Sequence, residues 1–156
     1  MKLSGDNRKL SKYERLYSQL EKLLKNSDNL LAQLATINAV LYHKVQEFFW
    51  IGFYLLNNDR LIVGPYQGPV ACQELRKDTG VCWKGINTKS TVIVPDVNLF
   101  PGHISCDSRS RSEIVIPLKD KTGQIIGVLD VDSKSTDTFD DTDARSLEKI
   151  LTLIKF

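Results

Sequence analysis

Apolar residues recur at helical spacing through Leu10, Tyr13, Leu16, Tyr17, Leu20, Leu23 and Leu24. That period predicts a first amphipathic helix, preceded by a polar stretch, residues 1–9, expected to fray. Residues 25–29 are a polar turn offering Ser27 or Asp28 as an N-cap, and Leu30, Leu31, Leu34, Ile37, Leu41 and Val45 mark a second helix. The period then changes. Residues 48–56 are aromatic and β-branched, Asn57-Asn58-Asp59 turns the chain, and residues 61–68 return it, which predicts a hairpin. Residues 69–90 carry no clear period and read as loop, a short helix around Gln73 to Lys77, and another turn. Residues 91–94 and 113–118 read as strands, and Asp120-Lys121-Thr122-Gly123 turns the second of these into residues 124–133 as another hairpin. Residues 138–143 supply caps and acidic first-turn residues for a last helix carrying Leu147, Ile150, Leu151 and Ile154. The sum is an α+β arrangement, a central antiparallel sheet flanked by N- and C-terminal helices.

A chain of 156 residues with 42% hydrophobic content can build one core, so a single domain over 1–156 is expected. A formal net charge of +2 is too mild for a nucleic-acid or anionic-membrane binder, which needs a clustered basic face. No apolar run reaches membrane-spanning length and the first residues lack the apolar core of a signal peptide, so the expected location is cytoplasmic. Three cysteines in a reducing compartment argue against a structural disulfide framework and leave reactive, metal-binding or plainly buried thiols. All three, Cys72, Cys82 and Cys106, fall outside the predicted helices. Cys106 lies on a loop between strand-like runs, stiffened by Pro101, loosened by Gly102 and carrying His103 and Asp107. His43, late in the second helix, reads as a surface or dipole-stabilising residue.

Trp50-Ile51-Gly52-Phe53-Tyr54, residues 64–72, Gly80-Val81-Cys82, the Asp96 to Asp107 loop, Ser112-Glu113-Ile114-Val115 and residues 127–133 occur in that order. Together they resemble the free methionine-(R)-sulfoxide reductases, which are stand-alone GAF domains. The resemblance runs from about Tyr13 to the last helix. It implies a GAF-like sheet, a small enclosed pocket, reduction of free methionine sulfoxide, and recycling by thioredoxin and NADPH with no bound cofactor or metal. Members often pair, so a homodimer is among the implied partners. The chain departs from the family pattern at Trp83-Lys84, where a glycine usually follows the Gly-Val-Cys motif, at Asn98 in place of a histidine, and at Ser105 in place of an alanine.

Reducing a sulfoxide with thiols needs a thiolate to attack sulfur, an acid to protonate the departing oxygen, and a second thiol to capture the sulfenic acid as a disulfide. Cys106 is the expected nucleophile, with His103, Arg109 and Arg111 nearby as cations that favour a thiolate. Glu113, at the start of an apolar strand, is the candidate proton donor or sulfoxide contact. Asp130 and Asp132 are two apart on a strand and share a face, where two carboxylates call for a cation between them; the ammonium group of a free amino acid serves. In the family the acids at Glu113, Asp130 and Asp132 contact substrate, and Trp50 and Tyr54 match the aromatic pocket wall. Cys72 is the first choice for the resolving thiol and Cys82 the second. Two rival readings are a noncatalytic GAF sensor of small molecules and a metal site from Cys72, Cys82, His103 and Cys106, whose spacing lacks the usual close cysteine pair.

Overall fold

A computed structural model describes residues 2–103 and 106–156, the side chains of 2–4 aside; Ser105 lies outside them. Six strands form one antiparallel sheet: β1 (Trp50–Asn57), β2 (Arg60–Gln67), β3 (Glu74–Leu75), β4 (Val92–Val94), β5 (Ser112–Lys119) and β6 (Ile125–Ser133), in the spatial order β3-β2-β1-β6-β5-β4. The helices are α1 (Lys2–Leu24), α2 (Leu30–Lys44), α3 (Gly80–Thr88) and α4 (Asp141–Leu151). The two expected hairpins are present as β1–β2 and β5–β6. At the tip of the first, Asn58 and Asp59 take the left-handed conformation that a two-residue hairpin turn requires, with φ of 49° and 62°. No helix among the described residues is long and apolar enough to cross a membrane.

Strand alternation divides the side chains between two faces. On one, Ile51, Phe53, Ile114, Ile116, Leu129 and Val131 pack with Leu16, Leu20, Leu34, Ile37, Leu41, Leu147 and Ile150 of α1, α2 and α4 to form the main core. Capping ties these helices in place. Asp140 and Asp143 form a capping box at α4, and Asp143 also accepts hydrogen bonds from Tyr13 Oη (2.7 Å) and Lys9 Nζ (2.7 Å) of α1. The other face carries a second apolar cluster around Trp50, Tyr54, Val115 and Val128, with Val81 and Trp83 of α3 packed on it.

Helix α1 is described from Lys2, so residues 2–9 of the polar stretch are helical. Two expectations need correction. The N-cap of α2 is Asn29, whose side chain accepts from Ala32 N, rather than Ser27 or Asp28. Between 69 and 90, Glu74–Leu75 is a short strand instead of a helix, and the helix lies over Gly80–Thr88, which places Cys82 on a helix and not a loop. Two glycines and the β-branched Val81 and Ile86 give this segment little intrinsic helix propensity. Docking onto the sheet supplies what propensity lacks: at Gly85 a Cβ would come within 2.9 Å of Val115 Cγ1, so the glycine sets how closely α3 approaches.

Candidate active site

Register across the sheet assembles the site. Trp50 of β1 pairs with Asp132 of β6, Asp132 with Glu113 of β5, and Glu113 with Val94 of β4. In the adjoining row Gly52 pairs with Asp130, and Asp130 with Val115. Paired residues share a face, so three acids from two strands converge beside the indole. Gly52 is required there because a Cβ would collide with the Trp50 ring and Tyr66 Cβ. The ring lies over the gap, stacked between Tyr54 and Tyr66 at centroid distances of 5.9 and 5.4 Å.

A cavity opens over these rows, and Trp50, Tyr54, Glu113, Asp130 and Asp132 all line it, as do Cys82 and Cys106. The first turn of α3, from its N-cap Thr79 through Gly80 and Val81, forms part of the wall, and Thr79 makes no side-chain cap to the helix. Two hydrogen bonds tie the aromatic wall to the loop that carries Cys72. Trp50 Nε1 donates to the Pro69 carbonyl at 3.0 Å, and Tyr54 Oη to the Cys72 carbonyl at 3.1 Å. Cys72 is joined to Cys106 in a disulfide, with Cα atoms 5.5 Å apart across a sequence separation of 34 residues. Cys106 is exposed, whereas Cys82 is a free thiol buried in the first turn of α3.

The electrostatics differ sharply between mouth and floor. At the floor, burial raises Glu113 well above the ordinary carboxylate range, and the charges of Asp130 and Asp132 push it further. Burial also lifts Asp132 well above that range. Asp130 is raised by burial too, while the neighbouring Glu113 and Cys82 side chains oppose the shift. The Cys82 thiol is pushed well up by burial and then by the neighbouring acids, so it holds its proton. At the mouth, Asp107 is lowered to about 2 by its paired hydrogen bonds from Arg109, whose guanidinium also lies 4.9 Å over the Phe49 ring.

Of the cations expected around Cys106, Arg109 is engaged by Asp107 and Phe49, and Arg111 is exposed. Burial lowers the pKa of His103, which favours the neutral imidazole, and its Nδ1 sits 3.8 Å from Glu113 Oε2. Trp83, the departure beside Cys82, does not line the cavity: its indole is buried and donates to the Leu75 carbonyl at 3.2 Å, anchoring β3. Nor does the rival ligand set of three cysteines and His103 assemble, because Cys72 and Cys106 are bonded to each other. His43 is exposed, as its position on α2 suggested. Sequence reasoning missed Phe49 and the helical wall of Thr79 and Gly80. A threonine in front of Gly80 was the available signal for the helix start.

A helix-backed antiparallel sheet with a roofed cavity on its far face is the arrangement of a GAF domain, and residues 34–156 match the GAF domain family. The GAF domain-containing protein A of Dictyostelium discoideum is 48% identical over 147 residues, which is 94% of this chain and 92% of that protein. The free methionine-R-sulfoxide reductase of Escherichia coli is 40% identical over 139 residues, 89% of this chain and 84% of its own. The structure of free methionine-R-sulfoxide reductase from Neisseria meningitidis, in complex with its substrate, matches with a TM-score of 0.86 and 40% identity, covering 90% of this chain and 84% of that one. The chain belongs to the free methionine-R-sulfoxide reductases, a family of oxidoreductases on the GAF fold.

Proposed function

We propose that this protein reduces free L-methionine-(R)-sulfoxide to methionine with Cys106 as nucleophile and Cys72 as resolving thiol. The observation that carries the reading is the pairing of an exposed Cys106 with Cys72 at a cavity floored by acids and walled by aromatic rings. The Cys106 thiolate attacks the sulfoxide sulfur while the oxygen takes a proton from Glu113, which burial keeps protonated. Oxygen passes to Cys106 as a sulfenic acid and methionine departs. Cys72 then attacks that sulfur, water leaves, and the disulfide forms. An external dithiol protein of the thioredoxin type, kept reduced by NADPH in a reducing cytoplasm, returns both thiols.

Burial of Cys82 on a helix supports Cys72 over Cys82 as the resolving thiol, because a group held beside Asp130 and Glu113 is poorly placed to follow a moving loop. Asp130 and Asp132 receive the substrate ammonium, Trp50 and Tyr54 pack on its methyl and methylene groups, and the uncapped first turn of α3 offers backbone N–H groups to its carboxylate. A residue with both termini free satisfies all of these at once, whereas a peptide-embedded one supplies neither charge.

The test is NADPH consumption with thioredoxin and thioredoxin reductase on the free R epimer, the free S epimer and a peptide-embedded sulfoxide. Turnover on the free R epimer alone is expected. No turnover on any of them with fully reduced thiols would favour a small-molecule sensor instead.

A further inference from the structure

Cys82 has no part in the disulfide, yet it is not simply a core thiol. One ligand atom from each of Cys82, Glu113 and Asp130 lies within 4.8 Å of the other two, and all three residues are buried. The side chain of Asp130, with the residue 6% exposed, leaves Oδ1 without a hydrogen-bond partner among the described residues, and it lines the cavity. No lysine or arginine lines that cavity among the described residues. The three groups stand on different rigid elements, α3, β5 and β6, so their separation is set by the docking of a helix on a sheet rather than by loop motion.

We propose that Cys82, Glu113 and Asp130 form a site for a borderline-soft divalent cation, zinc in the first instance, which excludes the amino-acid substrate while it is bound. Zinc bonds of about 2.0–2.3 Å in tetrahedral geometry put ligand atoms roughly 3.3–3.6 Å apart, a small contraction of the present cluster. One sulfur among two carboxylates selects zinc over magnesium or calcium, which take oxygen ligands in larger number. Binding converts the Cys82 thiol to a zinc thiolate and releases its proton to solvent. Three protein ligands leave a fourth position for water. The cation takes no part in the redox chemistry. It takes the place of the substrate ammonium, so the competition rests on the reductase reading while the metal site itself does not.

The disulfide form supplies a clean test, because a chain with three cysteines and one disulfide has Cys82 as its sole thiol. Cobalt(II) added to that form, and to a reduced Cys72→Ser, Cys106→Ser double variant, is expected to give a thiolate-to-cobalt charge-transfer band that saturates at one metal per chain and is displaced by zinc. In each background Cys82→Ser should abolish the band, and Asp130→Asn should weaken zinc binding at least about ten-fold, with circular dichroism verifying the fold. No band in either preparation, or zinc affinity unchanged by Cys82→Ser, overturns the site. Methionine sulfoxide should raise the apparent dissociation constant for zinc. Metal binding that the amino acid does not displace overturns the competition and counts against the substrate placement, whereas full turnover in a protein that binds no zinc overturns the metal site alone.

Discussion

On the helix-covered face of the sheet, Ile51, Phe53, Ile114, Ile116, Leu129 and Val131 are each at most 2% exposed. One residue along the same strands, Trp50, Glu113 and Asp130 point the other way and are nearly as buried, at 5–7%, with the half-buried Asp132 beside them. The depth is similar for these three and the chemistry of the acids is opposite. Each apolar side chain on the first face contributes roughly 1.5–3 kcal/mol by leaving water, whereas each acid on the second is disfavoured in its charged form by the same dehydration. The first face makes the protein stable. The second stores a deficit of positive charge that a ligand can relieve, and only a sheet anchored by its other side can hold it.

The largest contrast is expected from Cys106→Ser on the cavity side. Steady-state turnover should fall by at least about a thousand-fold because no sulfenic acid can form, with little change in melting temperature when variant and wild type are compared fully reduced, so that loss of the Cys72–Cys106 disulfide does not enter. Retained turnover would remove it as nucleophile. Phe53→Ala on the helix side should do the reverse, costing about 3–5 kcal/mol in urea unfolding while the folded fraction keeps its specific activity.

Glu113→Gln should lower the maximal rate by about 10²–10⁴-fold and raise KM much less, as expected of a proton donor. The same substitution probes stability. Because burial raises the folded pKa of Glu113 above its unfolded value, the folded state binds more protons between the two, and wild-type stability should fall as pH rises through that interval from the ordinary carboxylate range upward. Urea unfolding at a series of pH values, with a chelator present, should show that slope reduced in the glutamine variant; an unchanged slope would mean that the dehydrated acid is not Glu113. The smallest effect is expected far from the cavity. Asn29→Ala removes the N-cap of α2 and should cost about 1 kcal/mol with no change in kinetics.

Legibility in the sequence followed the same division. The helix-covered face was readable because burial on one side imposes a period: α1, α2, α4 and both hairpins were all marked by it. The acids on β6 were readable as a same-face pair for the same reason. What resisted was α3. Its residues satisfy a helix only through contact with Val115 and the sheet, so neither propensity nor period announced it, and Cys82 was assigned to a loop. The partners of Arg109 were not readable either: its guanidinium engages Asp107 and the Phe49 ring, the latter far away in the chain.

By itself the sequence determined the α+β plan, the family and the residue types that a thiol-based reduction of a sulfoxide needs, because these depend on local period and on motifs that are contiguous in the chain. Only the tertiary structure decided that Cys72 rather than Cys82 pairs with Cys106, that Glu113 joins Asp130 and Asp132 on one face, and that Trp83 anchors a strand and stays out of the cavity wall. Those facts depend on strand register and on the docking of α3, which bring together groups distant in sequence, and no local pattern records the distance between them.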